Sequence, residues 1–203
     1  MKNSNQLVSR MIISMLTLTA MFTMVSCGNS GGSGTAVTIG KDGTVQSNIE
    51  ESFEESYYDK EELQQAILTQ AATYNRNVGT SNITVEKVDV KDGVAVVQMT
   101  YAAAKDYASF NKAVFFAGEA QDAEGEGYEL NVVLSGVKDP QETLGKADIL
   151  AMENVTLLIT DINDAIQLDG KALYVSDNVT VSGNAKTVCR MEDSEKLAYI
   201  IFK

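Results

Sequence analysis

Residues 83–101 read ITVEKVDVKDGVAVVQMTY, two runs rich in β-branched residues joined through Lys91, Asp92 and Gly93. Asp-Gly between such runs supplies the positive φ that a tight hairpin turn needs, so the stretch predicts a β-hairpin. Its apolar alternation slips between Val85 and Val88, which places a bulge around Glu86 and Lys87. Toward the N-terminus, VTIGKDGTVQSNI (37–49) repeats the arrangement, with two short β-prone runs around Lys41, Asp42 and Gly43.

Between these hairpins lies the clearest helix signal. Asp59 followed three residues later by Glu62 has the form of a capping box, and Leu63, Ile67, Ala71, Tyr74 and Val78 recur at near-helical spacing. Gly79 supplies the stop, giving a helix over roughly Lys60 to Asn77 whose apolar stripe needs a sheet or helix to cover it. Ala102 to Asn111 predicts a short helix carrying Tyr107 and Phe110. Val114 to Ala117 predicts a brief strand in which the doublet Phe115–Phe116 places one ring in the core, and 118–127 reads as a loop, with one helical turn as the alternative. YELNVVLSGV (128–137) reads as a strand, and Pro140 at a first helical position predicts one or two short helical segments interrupted at Gly145.

The remainder alternates short strands with polar turns: Val155 to Thr160, Ala165 to Leu168, Ala172 to Val175, Val179 to Val181, Thr187 to Met191 and Leu197 to Phe202. Spacings this short favour antiparallel neighbours, because a parallel pair of consecutive strands needs a crossover of about a dozen residues or more. The predicted fold class is α+β: a mainly antiparallel sheet with one long amphipathic helix and one or two short ones.

Residues 1–26 read differently. Lys2 and Arg10 precede an apolar, Met-rich run from Met11 to Val25, and Cys27 then opens the small, polar stretch CGNSGGSG. The run falls short of the ~20 residues needed to cross a bilayer as a helix, and its position behind positive charge fits an export signal. This order resembles the lipobox of bacterial lipoproteins. Ser26 matches the pattern before the Cys, and Met24 departs from it, standing where Leu is more usual. The resemblance implies that the thiol of Cys27 carries a diacylglycerol, with acyl chains such as palmitate, and that the leader is removed. Two chains hold a protein stably at a membrane where one holds it only marginally. The expected organisation is a signal peptide over 1–26, a flexible Gly/Ser tether over 27–35 and one domain over 36–203. The leader, the Asp-Gly hairpins and the ending LAYIIFK together resemble small lipoproteins of anaerobic Gram-positive bacteria.

The chain has 203 residues and a formal net charge of −12; loss of Lys2 and Arg10 with the leader shifts this by two units to −14. Such a balance repels phosphate backbones and anionic head groups, so nucleic acid is not an expected partner and the lipid on Cys27 must supply membrane attachment. The sequence contains no His, which removes the commonest general base, the commonest transition-metal ligand and the usual partner of a nucleophilic Ser or Cys. Only Cys27 and Cys189 are present. With Cys27 lipidated, no internal disulfide forms, and Cys189 in TVCRM reads as a small buried hydrophobe on a strand.

Other motifs fail against their structural requirements. SFNK (109–112), SDN (176–178) and Lys186–Thr187 resemble, in order, pieces of the penicillin-recognising serine enzymes. However, Ser109 falls at the end of a predicted helix, Val188 stands where that family has Gly, and Asn178 and Lys186 are too close in sequence. DINDAIQLDG (161–170) offers Asp161 and Asn163 but lacks the remaining EF-hand ligands and the required Gly. Metal and cofactor sites are therefore not expected. Glu50, Glu51, Glu54, Glu55, Asp59, Glu61 and Glu62, opposed only by Lys60, form an acidic patch that reads as a solvated loop and helix start, with a calcium site as the sharper alternative. Beside it, Tyr57 and Tyr58 are candidate ligand contacts. Paired carboxylates for hydrolysis are unreadable in sequence because their separation in space is not encoded locally. The functional expectation is an extracytoplasmic, membrane-tethered, non-catalytic binding or interaction module of the cell envelope. The alternatives are a His-independent carboxylate hydrolase at the cell surface and an accessory subunit of an envelope protein complex.

Overall fold

The computed structural model describes residues 34–55 and 57–203; the expected signal peptide, Cys27 and most of the tether lie outside these residues. The fold is α+β, built from two mostly antiparallel sheets with one long helix. The hairpin read at 83–101 is β3 (Ile83–Lys91) paired with β4 (Val94–Tyr101). Its two-residue turn has φ of 52° at Asp92 and 75° at Gly93, the doubly positive geometry that matches the twist of the flanking strands. Register shifts between Val85 and Lys87, so the bulge falls where the alternation slipped, and beyond it Val88 and Val90 pack against the core.

β1 (Ala36–Ile39) and β2 (Val45–Ser52) form the first hairpin. The helix α1 (Lys60–Val78) starts at Asp59, whose Oδ1 accepts the Glu62 amide at 2.9 Å, and ends at Gly79 in the left-handed region with φ 77°. Leu63, Ile67 and Ala71 are buried against the sheet. Val78, expected on the same stripe, is 44% exposed because it falls in the last turn, past the edge of the covering strand.

The second half supplies β9 (Ala165–Leu168), β11 (Val179–Ser182) and β12 (Thr187–Arg190), which extend the first sheet into seven strands ordered β11-β12-β9-β1-β2-β4-β3. The β1–β9 pair is parallel, an exception to the antiparallel expectation. These two strands are far apart in sequence, so the short-connection argument does not constrain them. The second sheet has six strands, ordered β5-β8-β13-β10-β6-β7. They are β5 (Phe115–Gly118), β6 (Leu134–Gly136), β7 (Thr143–Leu144), β8 (Thr156–Thr160), β10 (Ala172–Val175) and β13 (Ala198–Phe202).

This second sheet is buried on both faces. Along β13, Ala198, Ile200 and Phe202 enter the core shared with the first sheet and α1, while Tyr199 and Ile201 enter a second cluster with Leu130, Leu134 and Ile149. Two-sided burial corrects the reading of the Phe doublet. Phe115 and Phe116 are both buried, at 1% and 7% exposure, one in each cluster, because a strand covered on both faces has no solvent side.

Three short helices complete the fold: α2 (Ala104–Asn111), α3 (Ala120–Gly125) and α4 (Lys146–Ala151). The six-residue α3 is the helical turn allowed within the 118–127 loop, with Ala120 and Ala123 buried in the second cluster. Pro140 does not open a helix. It sits in a turn in which the Glu142 amide donates to the Asp139 carbonyl at 3.0 Å and the Asp139 carboxylate accepts the Gln141 amide at 3.0 Å, because the fixed φ of proline also suits the second position of a turn. The strand expected over 128–137 shrinks to Leu134–Gly136, leaving Val133 exposed.

Candidate functional site

Alternation along β2 puts Ser47, Ile49 and Glu51 on the face that looks into the molecule. At this end of the strand, the second sheet does not close over them. The gap between β2, α2 and the β8–β9 connection is a half-enclosed cleft of about 230 Å³. Three elements fix its walls. Thr35 pins the entry to β1: its hydroxyl donates to the Glu50 carbonyl at 3.2 Å and accepts the Glu50 amide at 3.1 Å, next to Glu51. The β8–β9 connection is held by Asp161, whose carboxylate accepts the Val114 amide at 2.9 Å while its own amide donates to the Val114 carbonyl at 3.2 Å. This delivers Ile162, Asn163 and Asp164 to the cleft.

From α2 come Tyr107 and Asn111. The Asn111 amide donates to the Tyr107 carbonyl at 2.9 Å and to the Tyr101 hydroxyl at 3.3 Å. The Tyr107 ring sits between Tyr101 and Phe115, with centroids 5.1 and 4.8 Å away. Behind α2, the buried Asp106 ties the helix down by accepting from Tyr74 and Asn82, each at 2.9 Å, through one carboxylate oxygen. Among the described residues, the second oxygen of Asp106 has no hydrogen-bond partner.

The electrostatics of the cleft are one-sided. Glu51 and Asp164 both face it, and among the described residues no Lys or Arg lines it. Burial raises the Glu51 carboxyl above its ordinary value, and the charge of Asp164 raises it further; burial alone raises Asp164. Burial also pushes the Tyr107 phenol up, with smaller contributions from Tyr101, Asp164 and Asp161, so that it remains a hydrogen-bond donor. Ser47 is 4% exposed, and its hydroxyl has no partner at ordinary hydrogen-bond geometry among the described residues, although it lies near enough to the Tyr101 phenol to favour the ionised form of that phenol. Two acids whose charged forms are disfavoured, a hydroxyl with no partner and an apolar wall of Ile49 and Ile162 converge on one concave space. Perturbed titratable groups in a cleft are a mark of functional sites.

A second, shallower groove of about 580 Å³ runs over the outer face of the seven-stranded sheet. Thr38, Gln46, Asn48, Gln98 and Gln167 line it, with Glu86 of the bulge at its side. Its amides bond among themselves, Gln98 donating to Asn48 at 3.1 Å, as expected of a solvated polar sheet face.

The other residues singled out in the sequence fall elsewhere. Tyr57 is 67% exposed and meets Tyr58 edge-on at 4.9 Å, and Tyr58 stacks on Phe53 at 4.7 Å. Neither tyrosine lines either groove. Of the acidic patch, Asp59 caps α1, Glu51 turns into the cleft, and Lys60 pairs with Asp89 on β3 at 2.8 Å rather than with the patch. Among the described residues, no group of three or more His, Cys, Asp or Glu side chains is placed to hold a metal ion. Cys189 is buried on β12, as read. SDN is a folding device: the Ser176 hydroxyl donates to the Asn178 side-chain carbonyl at 2.6 Å and accepts the Tyr199 amide at 2.9 Å, and the Asn178 amide secures the 194–197 turn. Sequence reasoning missed Asp164 and the inward turn of Glu51. The only signal was period-two alternation along β2, with Ser47 and Glu51 on the face of Val45. Comparison with known protein families, curated proteins and solved structures gave no match.

Proposed function

We propose that the chain is a lipid-anchored, extracytoplasmic, non-catalytic binding module of the cell envelope, with the cleft between Glu51 and Asp164 as its ligand site. The observation that carries the reading is the convergence of two unopposed carboxyls and an unpartnered hydroxyl on one half-enclosed space. The leader and Cys27 support the tether. Two experiments test the two halves. Mass spectrometry of the native product should find a diacylglyceryl thioether at Cys27 and no residues before it, and Cys27→Ser should move the protein out of the membrane fraction. An unmodified thiol would remove the anchor. For the site, a thermal-shift panel of amines, amino acids, sugars and polyols should give at least one saturable shift that Asp164→Asn abolishes.

A second reading, a His-independent hydrolase, has the same pair in its favour, since raised carboxyl pKa values at a cleft suit general acid–base work. Turnover that disappears in Glu51→Gln and Asp164→Asn while the fold survives would replace the binding reading with this one.

A further inference from the structure

We infer that the cleft takes an organic monocation, a primary ammonium on a short apolar stem, held by Glu51, Asp164 and Ser47. The inference rests on the reading of this cleft as the ligand site, and three features of the lining lead to it.

The first is charge. An anion entering the cleft would meet two carboxyls and no basic side chain, whereas a cation supplies the counter-charge that the site lacks. The second is the donor count. An ammonium has three N–H donors and no acceptor. Glu51, Asp164 and Ser47 each bring an acceptor to the cleft, and the Ser47 hydroxyl is buried with no partner at ordinary hydrogen-bond geometry among the described residues. Leaving such a group unsatisfied is costly, and a donor from the ligand would offset that cost. The third is shape and polarity. A space of about 230 Å³ holds roughly eight waters' worth of volume at ~30 Å³ each, room for a small amine. Ile49, Ile162 and the Tyr107 ring give an apolar stem a surface to lie on. A calcium ion would require six to eight oxygens, mostly from carboxylates and carbonyls, and among the described residues no acidic group of three is assembled.

The titratable groups that bear on the pair are few. α2 contributes Tyr107, the β8–β9 connection contributes Asp161 beside Asp164, and the lining residues of β1, Ala36 and Val37, carry none. Cation binding therefore competes with protons on Glu51 and Asp164. Affinity rises with pH, by up to about tenfold per pH unit for each proton released.

The test uses the full chain in detergent and n-butylammonium as probe, with n-butanol, butyrate and calcium chloride as controls, followed by NMR or calorimetry at pH 5 and pH 7.5. The expected result is saturable binding of n-butylammonium that tightens at the higher pH. It should weaken at least tenfold in Glu51→Gln and in Asp164→Asn, and stay unchanged in Gln98→Ala on the outer sheet face. Calorimetry in buffers of different ionisation enthalpy should register proton release. Equal binding of n-butanol, a pH-independent affinity, or retention of affinity in both carboxyl variants would overturn the inference. If n-butylammonium fails while a neutral compound binds saturably and Asp164→Asn abolishes it, the cation assignment falls and the binding-module reading stands. If no compound class binds, both fall.

Discussion

Replacing Ser47 with alanine should make this protein more stable, which is unusual for a substitution at a residue only 4% exposed. The Ser47 hydroxyl left water on folding without gaining a hydrogen bond. An unsatisfied buried polar group of this kind costs about 1–3 kcal/mol, and Ser47→Ala removes the group together with its cost. Against this stands the void left by one oxygen, on the order of 10 Å³. At ~24 cal/mol per Å³ that is roughly 0.2 kcal/mol, too little to reverse the sign. The net expectation is a gain of about 1–3 kcal/mol. For a domain of this size each kcal/mol moves the melting temperature by roughly 2–4 °C, so the midpoint should rise by about 2–12 °C. Urea denaturation followed by circular dichroism measures the change directly, with an unchanged m value showing that the unfolded state is not responsible. A loss of more than about 0.5 kcal/mol would refute the reasoning, because it would mean that Ser47 bonds the neighbouring Tyr101 phenol and is not waiting for a ligand. The same variant should bind n-butylammonium more weakly, so stability and affinity should move in opposite directions, as they do where a site is held in a costly state for function.

The carboxyl pair should leave a mark on the pH dependence of stability. Glu51 and Asp164 are raised above their ordinary values of 4.5 and 3.8, so the folded protein holds protons that the unfolded chain gives up. Their contribution to stability is fully present below those ordinary values and is lost as pH rises through the raised ones. Asp164→Asn should therefore flatten the fall in stability between acid and neutral pH and gain most above neutrality. A difference curve between wild type and variant that slopes the other way would contradict the cleft's electrostatics. At the start of α1, Asp59→Ala removes the cap on the Glu62 amide and should cost about 0.5–2 kcal/mol in the same urea assay. No effect there would mean that the first turn of α1 is held by packing alone.

Local signals were enough to place most elements. Asp92–Gly93, the slip around Glu86 and the Asp59 cap each depend on residues within a few positions of one another, and each fixes an element on its own. What sequence could not supply was the number of faces a strand buries. LAYIIFK and TLLIT are continuous apolar runs, which serve equally for a strand lying under one layer or between two. Which applies depends on α3, α4 and Leu130 arriving from elsewhere to cover the second face. The Phe115–Phe116 reading failed for that reason. Pro140 failed for another: a fixed φ near −65° suits the second position of a turn as well as the first position of a helix, and Asp139 decides between them through its side chain.

The cleft was hidden for a stronger reason. Glu51 belongs to a run of acids that, read along the chain, describes a solvated patch, and only alternation on β2 separates it from Glu50 and Glu54 by turning it inward. Asp164 sits in a connection whose sequence resembles a broken calcium loop. What brings the two together is the parallel β1–β9 pairing, which joins the first strand of the domain to one from its second half. That pairing sets Ala36 opposite Ala165, the residue after Asp164, while the β1–β2 register sets the same Ala36 opposite Asn48. A single residue of β1 thus fixes how far the 161–164 connection lies from the end of β2 that carries Glu51. Shifting this register by one residue would turn Val37 and Ile39 out of the core and carry Asp164 away from Glu51. The apolar face that stabilises the sheet is therefore also what holds the two carboxyls in one space.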